Sequence, residues 1–146
     1  MPASGSLSLA DANMWLALAF SDHVPHSIAK QWFDAQTRGS CAFCRVTQLA
    51  LLRLLANAKI MGRFVQSQQN AWTAFDRIVA DPRMMYLEEP PGLEAKFRRL
   101  TQSAAPSNAV WTDAYLAAFA LCSQARLVTF DRGFSRFAGL DLLVLS

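Results

Sequence analysis

Three aspartates stand where an α/β fold would put them to use. Asp11 follows the apolar stretch Leu7-Ser8-Leu9-Ala10, Asp131 follows Leu127-Val128-Thr129-Phe130, and Asp113 lies in the opening turn of a long apolar helix. In a parallel sheet a strand delivers its last residue to the edge at which a returning helix begins, and open α/β sheets build their ligand sites there. Carboxylates gathered at one edge repel one another unless a cation or a shared proton joins them. Their hard oxygens suit Mg²⁺, with Mn²⁺ as a substitute. The pattern implies a divalent-metal site whose chemistry is phosphodiester hydrolysis. Each aspartate also has an ordinary structural use: Asp11 as a helix cap, Asp113 at the positive end of its helix, Asp131 as a turn initiator. Their shared edge is what argues for the metal.

These residues need elements to position them, and the apolar patterning supplies a set. Runs at residues 7–10, 41–44, 84–87, 127–130 and 140–145 read as strands. Helices are expected over 12–20, 26–37 with Gly39 beyond its end, 48–55 opened by Thr47, 67–80, 93–102 and 111–124. Asp81-Pro82 and Glu88-Glu89-Pro90-Pro91-Gly92 break the chain between them. Alternating strand and helix predicts the α/β class, with a mainly parallel central sheet covered by helices on both faces.

The bulk numbers bound the rest. A chain of 146 residues fits a single domain, 1–146, without repeats or an interdomain linker. With 53% hydrophobic and 17% charged residues it carries more apolar material than an average soluble domain, which implies an oligomer with a covered face. The net charge is +3, and eleven of the fourteen cations are arginine, the residue suited to gripping phosphates bidentately. Three cysteines make no disulfide framework, and Cys41-x-x-Cys44 has neither a second pair nor a neighbouring histidine to complete a zinc site. They read as buried strand cysteines. The opening Met-Pro-Ala-Ser-Gly-Ser lacks a basic leader, and Asp11 and Asn13 interrupt the apolar stretch 7–20. A cytoplasmic protein without a membrane span is expected.

Taken together, Asp11-Ala12-Asn13, Trp111-Thr112-Asp113-Ala114-Tyr115-Leu116-Ala117-Ala118 and Thr129-Phe130-Asp131-Arg132-Gly133-Phe134 resemble the PIN-domain ribonucleases of the VapC toxin type. The resemblance spans nearly the whole chain, with the three motifs in the family's order and at its usual separations. It implies a PIN-like three-layer fold, Mg²⁺-dependent endoribonuclease activity on RNA, and neutralisation by a small antitoxin of the VapB type, in a homodimer or a larger toxin–antitoxin assembly. By matching positions, Asp11 and Asp113 would be the principal metal ligands, with Asp131 a further acid that binds metal through water or orients the nucleophile.

Around these acids, Thr112, Thr129 and Ser107 are placed to hydrogen-bond a carboxylate, a water or a phosphate, Ser107 equally as a cap. Arg132, Arg136, Arg45 and Arg53 are candidate RNA contacts. His23 and His26 read as loop residues. The four tryptophans, Trp15, Trp32, Trp72 and Trp111, are expected in core or dimer packing, and Phe134 and Phe137 are the aromatics expected at the surface.

The chain departs from the family at one place. A glutamate usual on the helix after the second strand is missing, since no Asp or Glu lies between Asp34 and Asp76. Gln48 or Ala50 stands in that region, and Gln48 alone offers an oxygen. One lost charge weakens the metal site and favours a single ion over a pair. Two other readings follow: a catalytically weakened PIN domain that only binds RNA or a partner, and a receiver-like metal-binding switch. The switch would need an aspartate after the strand at 41–44 and a late lysine, and this chain has neither.

Overall fold

The computed structural model describes residues 7–102 and 105–146; the opening Met-Pro-Ala-Ser-Gly-Ser, residues 1–6, lies outside the described residues. Five short strands, β1 (Ser8–Ala10), β2 (Cys41–Phe43), β3 (Met84–Tyr86), β4 (Arg126–Thr129) and β5 (Leu142–Val144), form one sheet in the order β3-β2-β1-β4-β5. Every pairing is parallel. From β1 the chain winds outward through β2 to β3, then returns to place β4 on the other side of β1. Strand order therefore reverses between β1 and β4, the position at which such sheets open a crevice.

Alternation along the central strands sorts the core into two halves. Ala10, Cys41, Phe43 and Val128 face one way, toward α1 (Ala12–Ala19), α2 (His26–Asp34), α3 (Arg45–Leu55) and α5 (Gln68–Val79). Leu9, Ala42 and Leu127 face the other, toward α6 (Leu93–Gln102) and α7 (Val110–Ser123). This is the three-layer architecture expected from the alternation of strand and helix. Trp15 anchors the first half. Its ring stacks on Phe43 at 4.6 Å, and its indole N–H donates to Ala10 O at 3.0 Å, so a fully buried polar group is satisfied.

Several boundaries differ from expectation for local reasons. Helix α2 stops at Asp34, not residue 37, because Gln36 Nε2 donates back to Trp32 O and closes the last turn. Helix α3 starts at Arg45, before Thr47: Cys44 is its cap, and Thr47 Oγ1 accepts from Cys44 N at 3.0 Å from inside the first turn. A short helix, α4 (Ala58–Met61), was not anticipated; Asn57 caps it by accepting from Lys59 N, and Gly62 ends it at φ 57. Helix α5 begins at Gln68 because Ser67, expected inside it, is its cap, with Oγ accepting from Asn70 N. The last strand is the short Leu142–Val144, after a 3-10 turn over Arg132–Arg136. No helix among the described residues is long and apolar enough to cross a membrane.

Candidate active site

Asp11 ends β1 and opens α1, so its backbone is used before its carboxylate is. Its N–H donates to Val128 O at 2.8 Å, continuing the β1–β4 ladder, while its carbonyl receives Met14 N to begin the helix. The carboxylate is held at both oxygens: Ala12 N donates to Oδ1 at 2.8 Å, and Thr129 Oγ1 donates to Oδ2 at 3.0 Å. Capping and site building therefore coexist in one residue.

Thr129, wholly buried at the end of β4, is the hub. Having given its proton to Asp11, its oxygen accepts from Asn13 Nδ2 at 3.2 Å and from Asp131 N at 3.0 Å. Asn13 Oδ1 in turn accepts from Phe130 N at 3.3 Å, which sets the amide's orientation. One hydroxyl thus ties Asp11 to the backbone of Asp131. Asn13 is the residue that sequence reasoning passed over; its signal was a lone carboxamide in an otherwise apolar helix.

Asp131 initiates the 3-10 turn, with Oδ1 accepting from Gly133 N at 2.8 Å. That turn carries Arg136 back over the site, where Nη1 donates to Gly133 O at 2.9 Å and Nη2 to Asp113 Oδ2 at 3.0 Å. Gly133 is needed for the closeness of this arrangement: a Cβ there would meet Arg136 Nη1 at 3.0 Å and Asp131 Oδ1 at 3.1 Å. Asp113 itself sits in the first turn of α7.

The electrostatics follow from this placement. Burial pushes the Asp11 carboxyl above its ordinary value; the hydrogen bonds from Thr129 and Ala12 oppose the rise, and the charges of Asp113 and Asp131 add to it. Asp113 and Asp131 therefore lie within electrostatic reach of Asp11. Among the described residues, though, no three His, Cys, Asp or Glu side chains come close enough to form a ready-made metal cluster. The nearby cation is the guanidinium of Arg136, and it is on Asp113.

A cavity of about 710 Å³ opens beside Asp11, lined also by Asn13, Ala50, Arg53 and Asn57. Of the two candidates on α3, Ala50 lines it; Gln48 is buried and accepts a hydrogen bond from Arg45 instead. The two positions lie about 200° apart around the helix, so one face cannot present both. Arg53 lines the cavity, Arg45 lies over the Tyr86 ring, and Arg132 and Thr112 are exposed.

Other expectations separate cleanly. Ser107 Oγ accepts from Ala109 N and shapes the turn before α7. His26 opens α2, its Nδ1 at 2.8 Å from Ala17 O, and His23 stays in the loop. Trp15 is core, but Trp72 and Trp111 leave about half their surface exposed, at 47% and 55%. Phe134 and Phe137 are buried, contrary to expectation, because the 3-10 turn folds both under α7. Cys41 and Cys44 are buried and unpaired, and burial pushes the Cys41 thiol up to about 11.

The PIN domain family model matches residues 9–140. The chain belongs to the PIN-domain family. Among curated proteins it is 41% identical to ribonuclease VapC41 of Mycobacterium tuberculosis, an alignment covering 94% of this chain and 98% of that one. Among solved structures, it superimposes on M. tuberculosis VapC20, a toxin that cleaves the sarcin–ricin loop, with a TM-score of 0.67 at 15% identity, covering 95% of this chain and 99% of VapC20. The DNA-bound VapBC of Salmonella typhimurium gives 0.68 at 12% identity, covering 95% and 98%. The last two likenesses speak to the fold.

Proposed function

We propose that this protein is an endoribonuclease of the VapC type, the toxin of a toxin–antitoxin pair, with residues 1–146 acting as one catalytic unit in the cytoplasm. The observation that carries the reading is the Thr129 hub, which binds the Asp11 carboxylate and the Asp131 backbone together at the strand-order reversal, within electrostatic reach of Asp113.

The donor set fits a hard divalent cation. Asp11 is a desolvated carboxylate facing two further acids, and among the described residues its side chain accepts two hydrogen bonds, both from neutral donors. A cation there would relieve the repulsion, and Mg²⁺ or Mn²⁺ suits an all-oxygen set. Asp11 and Asp113 would hold it, with Asp131 acting through water; bound there, the ion would polarise the scissile phosphate and acidify water.

The protein's own groups do the rest. Thr129 and Ala12 fix the Asp11 carboxylate, so it is preorganised without motion at the moment of reaction. Asp131, exposed at the mouth, orients the attacking water and takes its proton. The water oxygen bonds phosphorus as the bond to the leaving ribose oxygen breaks, so two RNA ends result and no covalent enzyme intermediate forms. Arg53 inside the cavity, with Arg132 outside it, grips the backbone phosphates. A VapB-like antitoxin is the expected partner, and a homodimer or larger toxin–antitoxin complex the expected assembly.

The test is cleavage of a labelled RNA with Mg²⁺ or Mn²⁺, with EDTA and Asp113→Asn as controls. Cleavage that stops in both controls supports the reading; cleavage persisting in Asp113→Asn at the wild-type rate, contaminating nuclease excluded, overturns it. One observation favours a second reading. Ala50 occupies the cavity wall where another acid would strengthen the metal site, which suits a weakened PIN domain that binds RNA or a partner without cutting. The same assay separates the two.

A further inference from the structure

A second cavity, of about 430 Å³, opens toward the end of β3 and lies apart from the aspartates. Its walls come from three elements: Arg45 at the start of α3, Tyr86 and the Glu88-Glu89 pair at the end of β3, and Tyr115 with Phe119 on α7. The strand register places Tyr86 beside Phe43, and Asp11 follows the strand next to that one, so the cavity opens on the same sheet edge as the aspartates, two strands away. Neighbouring strands are spaced by about 4.8 Å, which puts the two sites roughly 10 Å apart along the edge.

The lining is chemically specific. Arg45 Cζ lies over the Tyr86 ring at 5.3 Å from its centroid, so the guanidinium stacked on the ring presents a planar face to the cavity. Opposite it, Tyr115 Oη donates to Glu89 Oε2 at 2.7 Å. Burial and the Glu89 carboxylate together keep that phenol protonated, so it goes on donating. This hydrogen bond fixes the carboxylate and leaves Oε1 free among the described residues. Two carboxylates beside one guanidinium repel a phosphate. What they accept is a planar group that stacks and presents paired N–H donors.

We propose that this cavity is a nucleobase subsite that selects guanine in the RNA strand next to the scissile phosphate. The proposal rests on the ribonuclease reading above. Guanine presents N1–H and the N2 amino group side by side on its pairing edge, matching the free Oε1 of Glu89 and the second lone pair of Oε2, while its plane stacks on the Arg45 guanidinium. Adenine and uracil lack that pair of adjacent donors, and cytosine presents its amino group alone. Glu89 is the specificity-determining residue, and Tyr115 positions it.

Two measurements on the full-length protein decide it. Metal-free protein is titrated with guanosine and adenosine 5′-monophosphates by NMR. Separately, RNA oligonucleotides carrying G, inosine, A, C or U at the positions flanking one cut site are digested with Mg²⁺. The expected result is a preference of about tenfold for guanine over adenine, intermediate for inosine, which lacks the amino group. Glu89→Gln should collapse that preference toward one, and Tyr115→Phe should reduce it. Equal affinity for the two nucleotides, or a guanine preference unchanged in Glu89→Gln, overturns the subsite. If no RNA is cut under any metal, the ribonuclease reading fails, and the nucleotide titration still decides whether the cavity takes guanine.

Discussion

Arg136 Nη2 lies 3.0 Å from Asp113 Oδ2, so the arginine from the turn after β4 supplies the cation at the mouth of the aspartate site. The pair is partly exposed, at 45% and 28% of the two side chains, and an ion pair of that kind contributes little to stability. Its consequence is competition: any metal that uses Asp113 must displace the guanidinium or share the carboxylate with it. Arg136→Gln should therefore tighten Mg²⁺ binding by about threefold in calorimetric titration, the scale of an exposed ion pair. Weaker binding in the variant would mean that Arg136 holds Asp113 in its ligating position.

The raised Asp11 carboxyl carries a pH signature. In the unfolded chain it titrates at its ordinary 3.8, and in the folded chain above that, so between the two values the folded state holds the extra proton. By linkage, Asp11 adds stability at low pH and loses it as pH rises through the folded value. Asp11→Asn removes the buried charge. Its unfolding free energy should match or exceed that of the parent at pH 7, the advantage should shrink toward pH 4, and RNA cleavage should vanish. A variant that is destabilised more at pH 7 than at pH 4 contradicts the assignment of burial as the dominant cause.

Thr129→Val keeps the shape of the side chain and deletes the hub. Asp131 N and Asn13 Nδ2 lose their acceptor and Asp11 Oδ2 loses its donor. Leaving such groups unpaired costs about 1–3 kcal/mol. Urea denaturation should show that loss, together with a fall of at least about tenfold in cleavage as Asp11 loosens. Normal cleavage in a destabilised protein would reduce Thr129 to a structural role.

Ala50 lines the cavity beside Asp11 and Gln48 does not, so Ala50 is the position predicted to accept a fourth acid. Ala50→Glu puts a carboxylate into the cavity beside Asp11 and should lower the Mg²⁺ requirement by about tenfold, whereas Gln48→Glu should pair with Arg45 and change it little. The reverse ranking would show that Gln48 turns toward the metal in solution.

Sequence alone was enough for whatever depends on near neighbours. The aspartates could be placed because each follows or opens an element whose periodicity is written in a few consecutive residues, and α5 and α6 were legible from helical spacing. Helix ends were less so, since Thr47 and Gln36 act through hydrogen bonds that spacing does not reveal.

Tertiary structure decided whatever depends on residues brought together from afar. The partnership of Asn13 with Thr129 spans 116 positions and exists because β4 returns to pair with β1; a register one residue different would turn Thr129 to the opposite face. That Ala50 lines the cavity while Gln48 turns to Arg45 came from where α3 begins. Phe134 and Phe137 went inward because the turn after Asp131 packs under α7. Local pattern determines which face of an element is apolar; strand order and register determine what that face, and each polar residue at its edge, will meet.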